Sequence, residues 1–224
     1  MSLWIKICGN TSLKDALLAV EAGADAVGFV FAPSPRQVTA GEAAAIVKRL
    51  PAEVEKIGVF VDATLEEIYS QARASGLTGV QLHFEAAPEL PARLRQRLGP
   101  GLRVLRVVHF EAESADAAAR RLAEYAADVH VDGVLVDSRT ATAAGGTGVA
   151  FDWTAAADAL LQKGEVRKHL IAAGGLTPAN VAEAIRTLRP RGVDVVSGVE
   201  AAPGRKDPAK VRAFVERARA ARSR

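Results

Sequence analysis

Residues 169–200 read HLIAAGGLTPANVAEAIRTLRPRGVDVVSGVE, in the order strand, glycine turn, helix, strand. His169–Ala172 is a short apolar run without polar alternation, as expected of a strand covered on both faces. Ala173-Gly174-Gly175-Leu176 interrupts it, and Thr177 with Pro178 marks a helix start. Val193–Ser197 is a second apolar run, closed by Gly198. Two apolar strands joined by a crossover helix form a βαβ unit, so the strands run parallel.

The same unit repeats toward the N-terminus. Apolar, β-branched runs at Trp4–Cys8, Ala26–Phe31, Lys56–Val61, Gly79–Leu82, Arg103–Val108 and Gly133–Asp137 predict six earlier strands. Helical spacing fills the intervals: Leu13, Ala16, Leu17 and Val20 share one stripe, and Leu65, Ile68, Tyr69 and Ala72 another. Helix starts are expected at Thr11 or Ser12, Thr64, Ser114, and Asp207 with Pro208, where a final helix follows the eighth strand. Eight βα units with no spare element predict an α/β fold, a closed (β/α)8 TIM barrel rather than an open doubly wound sheet. No Pro/Gly/Ser linker divides the chain, so residues 1–224 read as a single (β/α)8-barrel domain.

The composition, 49% hydrophobic and 25% charged over 224 residues, excludes a disordered or low-complexity chain. Such a chain buries roughly 70–75% of its unfolded surface, so no disulfide or metal staple is required. A lone cysteine, Cys8, excludes an intrachain bridge, and no Cys/His cluster has zinc spacing. Charged residues interrupt every apolar run before the roughly 18 residues of a membrane span, and the N-terminus lacks a signal-peptide pattern. These features point to a cytoplasmic protein. Residues 205–224 hold eight Lys/Arg and two Asp/Glu, a net of +6 against +3 for the whole chain, so residues 1–204 sum to −3. The basicity is therefore local, and no aromatic residues interleave with it for base stacking; nucleic acid is not an expected partner.

In a barrel the chemistry sits at the C-terminal ends of the strands. Cys8 ends the first, followed by Gly9, which would let a ligand approach; nearby positive charge or peptide dipoles would lower its pKa and make it a thiolate nucleophile or base. Asp137 ends the sixth, where partial desolvation would help it hold a proton near neutrality. Gly174 and Gly175 after the seventh strand, with Ser197 and Gly198 after the eighth, offer backbone N–H groups to an anion at the usual phosphate position of this architecture. Arg36, in Ser34-Pro35-Arg36, has the fork for a carboxylate. His83 ends the fourth strand and would position a substrate oxygen. Gly145-Gly146-Thr147-Gly148 lie in the long loop after the sixth strand and suggest a mobile cover over the substrate. Glu85 and Glu200 carry weaker functional signals, and Asp62, Asp152 and Asp194 read as structural.

Taken together these segments resemble the phosphoribosylanthranilate isomerases. The resemblance runs in order through Lys6-Ile7-Cys8-Gly9, Gly23–Phe29, Ser34-Pro35-Arg36, Gly58–Val61, Gln81-Leu82-His83, Asp137-Ser138, Gly145–Gly148, Ala173–Leu176, Asn180-Val181, Asp194–Glu200, Pro203-Gly204 and Lys206-Asp207. One departure is Phe84, where the family usually has glycine. The resemblance implies an Amadori rearrangement of an aminoaldose to an aminoketose in tryptophan biosynthesis. It implies Asp137 as general acid and Cys8 as general base, with Arg36 on the anthranilate carboxylate and the glycine loops on the phosphate. It implies no metal and no organic cofactor. The expected partner is a small phosphorylated substrate, with no membrane; monomer and homodimer are both compatible with the sequence. Two other readings stand beside this one. A related barrel isomerase on another phosphoribosyl intermediate would keep the glycine loops and change the acid and base. A non-catalytic barrel would only bind a phosphate metabolite or a partner. An indole-forming barrel would present lysines at strand ends, whereas Lys6 lies within a strand.

Overall fold

β1 (Trp4–Ile7), β2 (Ala26–Val30), β3 (Glu55–Phe60), β4 (Gly79–Leu82), β5 (Arg103–His109), β6 (Gly133–Asp137), β7 (Leu170–Ala173) and β8 (Gly192–Val195) form one closed parallel barrel in chain order. The computed structural model describes residues 2–109, 115–137 and 164–222. Closure is made by β1 on β8, with Trp4 opposite Gly192 and Ile7 opposite Val195. Seven described helices surround the strands: α1 (Leu13–Glu21), α2 (Ala40–Val47), α3 (Leu65–Ser75), α4 (Leu90–Leu98), α5 (Ala115–Ala127), α6 (Val181–Leu188) and α7 (Pro208–Arg222). Most of the β6–β7 connection lies outside the described residues; its end is a 3-10 turn, Gly164–Lys168.

The eight predicted strands are all present, with ends that shift by one or two residues. Local chemistry sets the helix starts. Ser12 caps α1 by accepting from the Asp15 N–H, and Thr39 and Thr64 each form a reciprocal capping box with a glutamate three residues on. Asp207 accepts from the Ala209 and Lys210 N–H groups at the start of α7.

Two expectations need correction, and a third is extended. The helix after β7 begins at Val181, not at Thr177-Pro178: Asn180 Oδ1 accepts the Thr177 N–H at 2.7 Å and holds residues 177–180 in a turn. The covered face of α1 is wider than the Leu13/Ala16/Leu17/Val20 stripe, which does pack in or against the core: Asp15, Leu18 and Ala19 are buried as well, and Asp15 accepts the Lys206 N–H at 3.1 Å. The barrel also has a spare element, a hairpin of β9 (Glu200–Ala202) and β10 (Arg205–Lys206) after β8.

Each strand has two buried faces, the reason its hydrophobicity is continuous. Ile5, Ile7, Val27, Phe29, Phe60, Val104 and Phe214 belong to the layer between sheet and helices. Ala26, Ile57, Leu105, Val107, Leu135, Ile171 and Ala173 fill the barrel interior, with Trp4 packed against them. Since side chains alternate along a strand, the interior set fixes which later residues also face inward. His109 follows Leu105 and Val107; Asp137 follows Leu135. Among the described residues no helix is long and apolar enough to cross a membrane.

Candidate active site

Lys6 faces the barrel interior, reaching Gln81 on β4 and Asp194 on β8, so Cys8, two residues on, opens onto the same axis. Above them, at the C-terminal ends of the strands, lies a cavity of about 210 Å³ with Cys8 and Asp137 both in its wall. Arg36 and His83 line it too, as do Gly174, Gly175, Ser197 and Gly198. The structure thus brings together every predicted site residue that falls within the described part of the chain. Gly145, Gly146, Thr147 and Gly148 lie outside it, as does Ser138.

The floor is a buried charge network. Lys6 Nζ donates to Asp194 Oδ1 at 3.0 Å and to Gln81 Oε1 at 2.9 Å, with the lysine side chain 0% exposed. Burial alone would depress the Lys6 pKa, but Asp194 and Cys8 outweigh it and hold it above the usual lysine value. Gln81, oriented by Lys6, turns its Nε2 to His83 Nδ1 at 3.4 Å. Asp194 is therefore part of the site floor and not merely structural. The signal was present in the sequence: an acid in a strand buried on both faces requires an inward cation.

Cys8 departs from expectation. Burial pushes its thiol up from the usual cysteine value; Lys6 pulls it down, Asp194 pushes it further up, and Lys206 pulls it down. The positive charge the sequence led one to expect is present, but desolvation outweighs it. Backbone ties fix the thiol's place. Asn10 Nδ2 donates to Ile7 O at 2.8 Å and Gly28 O at 3.2 Å, and Lys206 Nζ donates to Cys8 O at 2.6 Å.

Arg36 has an internal partner that the sequence reading did not foresee. Its fork is closed on an internal partner: Nε donates to Glu200 Oε1 at 2.8 Å and Nη2 to Glu200 Oε2 at 2.6 Å. Lys206 Nζ joins at 3.2 Å from Oε1. Burial raises the Glu200 pKa, but hydrogen bonds from Arg36 and the charge of Lys206 bring it below the usual glutamate value. The space over Gly9 is filled by the Arg36 side chain, since a Cβ at Gly9 would lie 2.8 Å from Arg36 Cδ. Glu200 and Lys206 were obscured because their hairpin was not anticipated.

Across the cavity, Gly174 and Gly175 adopt successive positive φ angles of 78° and 62°, open to glycine at no steric cost. Gly198 begins its approach where a Cβ would collide with the Leu176 carbonyl. With the 3-10 turn at Ser197–Val199, these two loops shape a backbone-lined concavity of the kind that receives anions. Asp137 is 4% exposed and His109 stands opposite it in the β5–β6 register. His109 was missed because the predicted fifth strand ended at Val108. Phe84, half-buried, packs against the outer core.

Residues 5–217 match the family model described as N-(5'phosphoribosyl)anthranilate (PRA) isomerase. The chain is 44% identical over 220 residues to N-(5'-phosphoribosyl)anthranilate isomerase of Pelobacter propionicus, covering 98% of this chain and 97% of that one. Among solved structures it resembles the phosphoribosyl anthranilate isomerase of Thermotoga maritima, with 38% identity, a TM-score of 0.83, and coverage of 97% and 99%. A further phosphoribosyl anthranilate isomerase structure is a complex with reduced 1-(o-carboxyphenylamino)-1-deoxyribulose 5-phosphate. It matches at 37% identity and a TM-score of 0.81, with the same coverage.

Proposed function

The chain belongs to the N-(5'-phosphoribosyl)anthranilate isomerase family, and from that premise we propose how its own residues carry out the rearrangement of the aminoaldose to the aminoketose in tryptophan biosynthesis. Asp137 is the general acid and Cys8 the general base. The observation that carries this reading is that both groups line one cavity at the C-terminal barrel end, which the glycine loops line as well.

Asp137 gives its proton to the furanose ring oxygen as the bond from that oxygen to C1 breaks. The anthranilate nitrogen lone pair forms the C1–N double bond of a protonated Schiff base. Cys8, as thiolate, takes the C2 proton, and the released electron pair forms the C1–C2 double bond and neutralises the nitrogen. The enolamine then tautomerises: the C2 hydroxyl loses its proton and C1 gains one, leaving the ketone. Each acid–base role is worth about 10²–10⁴-fold in rate.

The Gly174, Gly175, Ser197 and Gly198 loops hold the phosphate, which fixes C2 relative to the thiol. His83 positions a sugar oxygen. Arg36 lines the cavity and receives the anthranilate carboxylate beside its pairing with Glu200, which keeps the guanidinium oriented. Residues 1–224 act as one domain, as monomer or homodimer, in the cytoplasm. Purified protein supplied with the aminoaldose made in situ removes anthranilate-type fluorescence as product forms; persistence of the fluorescence contradicts the reading.

A further inference from the structure

His83, His109 and Asp137 come from the C-terminal ends of three consecutive strands, β4, β5 and β6. One donor atom from each lies within 4.8 Å of the other two. The two imidazoles meet edge to face, with centroids 5.0 Å apart. We propose that these three side chains form a site for a divalent transition-metal ion of the zinc type, and that the bound ion inhibits the isomerase.

The donor set is two imidazoles and a carboxylate, which suits zinc and leaves a fourth position for water at the cavity mouth. Zinc–ligand bonds of about 2.0–2.1 Å place tetrahedral donors about 3.3 Å apart, so donors within 4.8 Å close by at most about 1.5 Å through side-chain rotations. The backbone beneath need not move. His109 and Asp137 are directly opposed in the ladder, and Leu82 opposite Arg106 puts His83 beside Val107, one inward position below His109. A site raised on adjacent strands of a closed barrel is held more rigidly than one on loops.

Inhibition follows from the identity of the third ligand. An ion bound to Asp137 takes the carboxylate form and releases the acid's proton to solvent, so the group has no proton for the ring oxygen. It also fills the space in which His83 meets the sugar. The inhibitory half of the proposal therefore rests on the acid role of Asp137, whereas metal binding itself does not.

The test is calorimetric titration of the full chain with Zn²⁺, beside the variants His109→Ala and His130→Ala. One ion per chain is expected for wild type and for His130→Ala, and binding at least about tenfold weaker for His109→Ala. Co²⁺ in place of Zn²⁺ should give a visible tetrahedral spectrum without the charge-transfer band of a thiolate, which separates this site from Cys8. Absence of binding at micromolar Zn²⁺, equal affinity in His109→Ala, or a thiolate band overturns the site. Turnover of wild type should fall with Zn²⁺ and return with a chelator, while His109→Ala stays active in the same Zn²⁺. Binding that depends on His109 but leaves turnover intact overturns the inhibitory claim, whereas the acid role of Asp137 is tested separately by the turnover of Asp137→Asn without metal.

Discussion

Gly28 on β2 faces Cys8 so closely that a Cβ there would overlap the Cys8 sulfur and stand 2.9 Å from Lys6 Cε. The second strand thus omits a side chain where the first carries its thiol and its buried lysine. Gly28→Ala should displace both groups. Overpacking of this kind costs about 1–3 kcal/mol, readable as a lower urea midpoint, and the displaced thiol should reduce kcat. A variant with wild-type kcat would show that the thiol's position is not critical.

With Cys8 as the proposed base, its thiol sets the pH dependence of turnover. Burial holds its thiol above the usual value, with Lys6 and Lys206 opposing and Asp194 assisting. A base acts only when deprotonated, so kcat/KM of the isomerase should rise with pH through that raised value. The rate of thiol alkylation in free enzyme should rise over the same range. A plateau already reached below the ordinary cysteine range contradicts this.

Lys6→Met leaves Asp194 as a buried carboxylate without its cation. Breaking one side of a buried pair typically costs about 3–5 kcal/mol. Chemical denaturation should show a loss of that size, and Lys6→Met combined with Asp194→Asn should recover a good part of it. Equal stability of the single and double variants would mean that the pair is not coupled.

Glu200 sets an acid limit on stability. Its folded pKa is lowered, against burial, by Arg36 and Lys206. The stabilisation is therefore fully present above the ordinary glutamate value and is lost as pH falls through the lower folded value. Unfolding free energy measured across that window should decline with acidification in wild type and decline less in Glu200→Gln. An identical decline in both removes Glu200 from the account.

With Arg36 on the anthranilate carboxylate, as proposed, Arg36→Ala should raise KM with a smaller change in kcat, because that end of the substrate is remote from the reacting carbons. Gly198→Ala should weaken phosphate binding more severely, since its Cβ would collide with the Leu176 carbonyl. Steady-state kinetics separates the two; an unchanged KM in either variant contradicts its assignment.

The barrel was legible because strands buried on both faces leave continuous apolar runs, as at Val134-Leu135-Val136, and helix caps such as Ser12 and Thr64 leave local signatures. Cys8 and Asp137 were legible as polar ends of such runs. The Arg36–Glu200–Lys206 cluster was not, because it depends on a two-stranded hairpin too short to leave a period, and its partners are 164 residues apart in sequence. The direction of the Cys8 shift was also illegible, since it is the balance of desolvation against two lysines, one of them, Lys206, on that hairpin. His109 was lost to a boundary one residue early, enough to hide the side chain that stands opposite Asp137.

The central claim is that Cys8 and Asp137 act as base and acid on the same pentose. The most direct measurement is kcat for Cys8→Ser and Asp137→Asn, alongside the affinity of each for a reduced product analogue. The account predicts turnover lower by about 10²–10⁴-fold in each variant with analogue affinity near wild type. Wild-type turnover in either variant would contradict it.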